Sequence, residues 1–132
     1  MRNAKGLTLI ELLIVIAIIA ILIAVLLPNL LGARRRAFDA SAMGCARIVA
    51  LVAESSRVDT ATLDYNFSAT DVTNFDPKSC TGLKYSGTFP ANAASFEVTV
   101  FHPNGSKGYK LSGNANGVTV QEATRPGSGT DF

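Results

Sequence analysis

The stretch that most constrains this chain is Leu12 to Leu27, LLIVIAIIAILIAVLL, sixteen residues without one polar side chain. Thirteen are Leu, Ile or Val and three are Ala. At roughly −0.3 to −0.6 kcal/mol per large aliphatic residue, such a run favours insertion into a bilayer by about 4–8 kcal/mol. Extended back to Leu7 it covers twenty-one residues, enough for a hydrocarbon core about 30 Å thick. Lipid offers no hydrogen bonds to a backbone, so the segment has to be helical. One residue in it is out of place. Glu11 puts a carboxylate at the head of the apolar helix, and a charge at mid-bilayer costs at least ~2.5–3.5 kcal/mol, which marks it as a candidate functional residue.

Two plain readings compete. A cleavable secretory signal has an apolar core of about 7–15 residues and a small-x-small site after it. Here the run is longer, and Pro28-Asn29-Leu30-Leu31-Gly32-Ala33-Arg34 offers no such site. A simple membrane anchor has no use for Glu11, nor for Gly6 standing between the charges of Arg2 and Lys5 and the apolar run.

The leader Met1-Arg-Asn-Ala-Lys-Gly6, followed by Leu7-Thr-Leu-Ile-Glu11-Leu-Leu, resembles the class III signal of type IV pilins and pseudopilins. The resemblance covers about residues 1–55 and departs from the usual pattern at Leu7, where most members carry Phe. It implies that a prepilin peptidase cuts between Gly6 and Leu7 on the cytoplasmic side and methylates the new amino terminus. It implies an assembly role for Glu11, and a helix that is locally weak at Pro28 with Gly32 close behind. A buried Glu11 needs a partner. The cation at its depth is the freed amine of Leu7, its own or a neighbouring subunit's.

The formal charge of +2 misleads, because it includes the leader. Without Arg2 and Lys5 the twelve basic residues become ten, against ten acidic ones. A neutral chain carries no electrostatic footprint for nucleic acid, so DNA as a partner has no support from charge. The basic cluster Arg34-Arg35-Arg36 reads as a solvated or headgroup-facing helix turn. It also blunts the positive-inside bias, so an external head is what the resemblance implies. Two cysteines in a small exported chain point to one disulfide, and the intrachain pairing is Cys45–Cys80.

Beyond Pro28 the pattern still reads as helix. Phe38, Ala42, Cys45, Val49 and Val52 recur at spacings of four and three and form one stripe. Leu30, Ala33, Ala37, Ala40, Gly44 and Ile48 form a second, smaller-sided stripe, suited to core packing plus close contact with other subunits. From Ser55 to Lys78 the periodicity dissolves. Asp59, Asp64, Asp71 and Asp76 punctuate what reads as a solvated loop without calcium-ligand spacing. Strands are predicted at Leu83–Phe89, Ser95–His102, Lys107–Ser112 and Val118–Glu122. Turns are predicted at Pro90-Ala-Asn, Pro103-Asn-Gly105-Ser and Gly113-Asn-Ala-Asn-Gly117. In Ser95–His102, Phe96, Val98 and Val100 take the core face, and Glu97, Thr99 and Phe101 the solvent face. Thr124–Phe132 reads as a flexible end.

Catalytic chemistry is not in view. His102 lies beside Pro103 without a nucleophile in context. Gly105-Ser-Lys-Gly108 lacks P-loop spacing, and two cysteines with one histidine make no usual zinc site. Asn66-Phe-Ser68 and Asn104-Gly-Ser106 match the permissive glycosylation sequon. The expected fold is α+β: a long N-terminal helix, transmembrane in its first half and amphipathic in its second, on an antiparallel sheet of three or four strands. The expected segments are a leader at 1–6, a membrane and filament-core helix at 7–28, an amphipathic half at 29–57, and a head at 58–132. The resemblance implies a structural subunit, a major pilin of a type IV pilus, with no enzymatic activity and no cofactor. Its partners would be copies of itself, prepilin peptidase, the pilus assembly machinery and the bacterial inner membrane. Its final location would be an extracellular filament serving motility, adhesion or DNA uptake. A pseudopilin of type II secretion, a minor pilin and a membrane-tethered binding module are the alternatives.

Overall fold

Leucine, isoleucine, valine and alanine side chains leave little to oppose helix formation once their backbone bonds are made internally. The result is a helix of 50 residues, α1 (Leu9–Val58), that continues through Pro28 without a break. The structure, a computed structural model, describes residues 6–58 and 61–132. Met1–Lys5 of the expected leader and Asp59 of the acidic set lie outside them. The chain divides into two units, Met1–Arg34 and Arg35–Phe132.

In the first unit every large aliphatic residue of the apolar run faces outward, Ile14 at 53% and Ile21 at 66% of full exposure among them. By length and composition this helix is apolar enough to cross a membrane, and none of its most apolar stretch is buried. So much aliphatic surface cannot stay in water, since each Å² costs about 25 cal/mol.

The second unit is built on the remainder of α1. Asp39, Ala42, Cys45, Ala46, Val49, Val52 and Ala53 are its buried residues. All of these but Asp39 pack with Tyr65, Phe67, Val72, Cys80, Leu83, Phe96, Val98, Val100, Tyr109 and Leu111 into one core. The expected core stripe is therefore largely present, with Phe38 only half-buried, and the stripe from Leu30 to Gly44 is left mainly exposed. Facing the helix is a five-stranded antiparallel sheet made of β2 (Lys84–Thr88), β4 (Phe96–Phe101), β5 (Lys107–Asn114), β6 (Gly117–Thr124) and β7 (Thr130–Asp131), in the order β6-β5-β4-β2-β7. A two-stranded sheet joins β1 (Tyr65–Asn66) to β3 (Ala91–Ala93). The α+β class follows.

Four features differ from the expectation. The stretch from Ser55 to Lys78 is not simply a solvated loop: α1 runs to Val58, β1 lies at Tyr65–Asn66, and a short helix α2 (Ala69–Phe75) follows. Ser68 caps α2, its hydroxyl accepting from the Asp71 amide while the Asp71 carboxylate accepts from the Ser68 amide. That is a capping box with aspartate in the glutamate position. Of the expected turn at Pro90-Ala-Asn, Ala91 and Asn92 lie instead in strand β3, which pairs with β1.

The carboxy-terminal end is not free. Tyr85 pairs with Thr130 and Lys84 with Asp131, so the sheet has five strands rather than three or four. Phe132 packs edge-on against Tyr85, with ring centroids 5.0 Å apart. The same segment explains Phe101, which shares a sheet face with solvent-side residues yet is only 1% exposed. Gly129 passes over its ring so closely that a β-carbon there would stand 2.7 Å from Cζ. A second close approach lies at Gly113, where a side chain would collide with the rings of Phe96 and Tyr65.

Candidate processing and assembly site

The amino-terminal residues come together through ordinary helix-end chemistry. Residues 6–8 precede the helix. The Thr8 hydroxyl accepts from the Glu11 amide at 3.2 Å, and Glu11 Oε2 accepts from the Thr8 amide at 2.8 Å. The Thr8 carbonyl receives the Leu12 amide at 3.2 Å. A threonine followed three residues later by glutamate is a capping box, and it satisfies donors that the helix start would otherwise leave bare. The signal for it is present in Thr8-Leu-Ile-Glu11, where the charge of Glu11 overshadows its spacing from Thr8. The acid has a local partner while its second oxygen, Oε1, makes no hydrogen bond among the described residues.

Gly6 is exposed, and a β-carbon built on it would meet no atom within 4 Å. Leu7 is 83% exposed. Nothing in the fold therefore demands glycine at position 6 or protects the bond after it. A requirement for glycine there would have to come from an enzyme that reads the segment. Pro28 lies inside α1 with Gly32 one turn on, as a site where one backbone hydrogen bond is absent.

The cysteines meet as expected: Cys45 and Cys80 form a disulfide, with α-carbons 4.9 Å apart. It ties α1 to the segment entering β2. Two further ties lie beyond the sequence expectation. Asp39, buried on α1, accepts from the Ser106 amide (2.8 Å), the Ser106 hydroxyl (2.6 Å) and the Lys107 amide (3.1 Å). Burial pushes its carboxyl up. The Ser106 hydroxyl, the two amides and the charge of Lys107 outweigh burial and hold it below the usual carboxylate range. At the other end of the helix, Glu54 Oε1 accepts from the Val118 amide at 2.6 Å, and Arg57 Nη2 donates to the Ala115 carbonyl at 2.6 Å. Both grip the β5–β6 turn. A signal for Asp39 did exist, since it stands in helical register with Ala42, Ala46, Val49 and Ala53.

His102 stacks on Phe38 with ring centroids 4.1 Å apart and accepts the Asn104 amide at Nδ1. It orders the β4–β5 loop. Among the described residues no group of three or more His, Cys, Asp and Glu side chains is placed to hold a metal ion.

Residues 1–27 match the prokaryotic N-terminal methylation motif. Over 39 residues the chain is 85% identical to the type IV wide pilus major component PilA4 of Thermus thermophilus. That similarity covers 30% of this chain and 30% of the relative's length. A methylation motif at the amino terminus, with an exposed apolar helix running on from it, makes the chain similar over this stretch to a type IV pilin.

Proposed function

We propose that this chain is the major structural subunit of a type IV pilus. It is held in the bacterial inner membrane by its apolar helix, then cut between Gly6 and Leu7 by a prepilin peptidase and methylated on the new amine. The assembly machinery then adds it to an extracellular helical filament. The observation that carries this reading is the surface of α1 before Arg34: a helix whose aliphatic side chains are all outward, with one acid at its start. Lipid covers such a helix before assembly, and copies of the same helix cover it afterwards. In that dry core Glu11 attracts the freed amine of a neighbouring Leu7, which discharges the acid and sets the stagger between subunits. The weak point at Pro28 and Gly32 lets the helix lose hydrogen bonds there as the core packs.

The test is to shear filaments from expressing cells, image them by electron microscopy, and measure the intact mass of their subunit. The expected subunit begins at Leu7 with a methylated amine and dominates the filament. Met1 retained in assembled filaments overturns the reading. So does a filament in which this chain is outnumbered by another subunit, as a minor pilin or a type II secretion pseudopilin would be. Gly6→Leu has no fold to disturb, so it should leave uncut precursor in the membrane and no filaments.

A further inference from the structure

We propose that a cleft in the second unit binds the phosphate of an anionic phospholipid headgroup. The cleft has a volume of about 460 Å³ and is lined by Arg35 of α1, the β4–β5 loop Pro103–Ser106, and Arg125 beyond β6. Arg35 makes no ion pair or hydrogen bond among the described residues. Arg125 uses one donor, Nη1, on the Pro103 carbonyl at 3.1 Å, which orients the guanidinium and leaves its other donors open.

The acid nearby is already committed. Asp39, one helical turn from Arg35, has its oxygens filled by Ser106 and Lys107, so it builds the loop instead of pairing with the arginine. The loop's own amides are occupied too: Asn104 donates to His102 Nδ1, Gly105 to the His102 carbonyl and Ser106 to Asp39. Recognition therefore falls to two guanidiniums and the Asn104 carboxamide. Two planar donor forks beside an open polar cleft suit a tetrahedral oxyanion.

The source of that phosphate follows from where the cations lie. Only residues 28–34 separate Arg35 from the apolar run, and Arg34 and Arg36 flank it. Basic clusters next to a membrane span meet anionic headgroups. On the sheet, by contrast, Lys84, Lys107 and Lys110 are each matched by an acid, in Asp131, Glu122 and Glu97. A nucleic acid needs a continuous basic track, which this pairing removes from the sheet. The lipid source rests on the membrane-held subunit proposed above, whereas the phosphate site does not.

The experiment uses the full chain with nitrogen-15-labelled arginine, in zwitterionic detergent and in nanodiscs, and follows the side-chain resonances by NMR. The probes are inorganic phosphate, glycerol phosphate, duplex DNA, and nanodiscs of phosphatidylcholine with or without phosphatidylglycerol. Arg35 and Arg125 should shift with phosphate, with glycerol phosphate and with phosphatidylglycerol nanodiscs, and not with phosphatidylcholine alone. R35Q breaks no bond within the protein, and it should weaken phosphate binding about tenfold. R125Q should do the same, and R47Q, outside the cleft, should leave it unchanged. Unchanged affinity in R35Q overturns the site. Shifts with free phosphate but none with phosphatidylglycerol overturn the lipid source, and tighter binding of DNA at the same residues overturns it in favour of nucleic acid. None of these readouts needs a filament, so a failure to form pili bears on the proposed function alone.

Discussion

Asp39 and Ser106 lie 67 positions apart in sequence, yet the carboxylate of the first accepts both the amide and the hydroxyl of the second. This pair, with Lys107 as a third donor, docks the β4–β5 loop onto the helix. Its carboxyl sits below the ordinary range. The stabilisation it provides is therefore complete above the unfolded carboxyl's pKa of ~3.9 and is lost as pH falls through the lower folded value. Asp39→Asn should cost about 1.5–3 kcal/mol near neutrality and flatten the acid limb of the stability curve. Denaturant unfolding of both proteins at pH 7 and pH 3 checks this, and equal stability at pH 7 would refute it.

The disulfide should be silent until the head opens. Cys45 is fully buried and Cys80 is 1% exposed, so a reductant reaches them slowly in the folded state. The cross-link spans a sequence separation of 35, for which the chain-entropy model gives on the order of 3–4 kcal/mol. Thermal melts of the wild type and of the double variant Cys45→Ala/Cys80→Ala should differ accordingly. Rapid thiol labelling of the native protein under mild reductant would contradict the prediction.

The last residues should behave as part of the sheet. Deleting residues 127–132 uncovers Phe101, removes the Lys84–Asp131 ion pair and strips Phe132 from Tyr85. Burial of aromatic surface on this scale is worth roughly 1–3 kcal/mol. Unfolding curves of the truncated chain should show a loss of that order, with Phe132→Ala giving part of it. A truncated head as stable as the full one would show that the strand pairing of Thr130 and Asp131 is incidental.

Three substitutions separate the capping contact of Glu11 from its proposed role in assembly. Thr8→Ala breaks the capping box and keeps the charge. Glu11→Gln keeps a capping side chain and removes the charge, and Glu11→Ala removes both. If the charge drives assembly, filaments persist in the first and disappear in the other two, while cleavage after Gly6 stays normal in all three. Filament counts beside an immunoblot of precursor and mature forms give the answer. Wild-type filament yield from Glu11→Gln would assign the residue to capping, and accumulation of precursor would assign it to the peptidase.

How far these features are legible depends on how local their causes are. The apolar run is a property of consecutive residues, and so is the place of the helix it dictates. The stripe Ala42, Cys45, Val49 and Val52 is periodic, and the alternation of Phe96, Val98 and Val100 is too, so the helix and the central strands can be read directly. The capping boxes at Thr8–Glu11 and Ser68–Asp71 are equally local, each a matter of one hydroxyl and one acid three residues apart, although neither entered the sequence reading.

What only the tertiary structure decided rests on residues that meet across the chain. Thr130 and Asp131 have no strand signature of their own, and they extend because the open edge of β2 supplies hydrogen-bond partners. Phe101 follows the alternation and points to the outer face, and it is buried because Gly129 has no side chain to hold the tail away from it. Asp39 was legible only as an acid in an apolar register. Whether it would be expelled, protonated or satisfied depended on three donors that arrive from a distant loop. Periodicity records what each residue asks of its surroundings, and a buried carboxylate or an edge strand is stable only where another part of the chain answers.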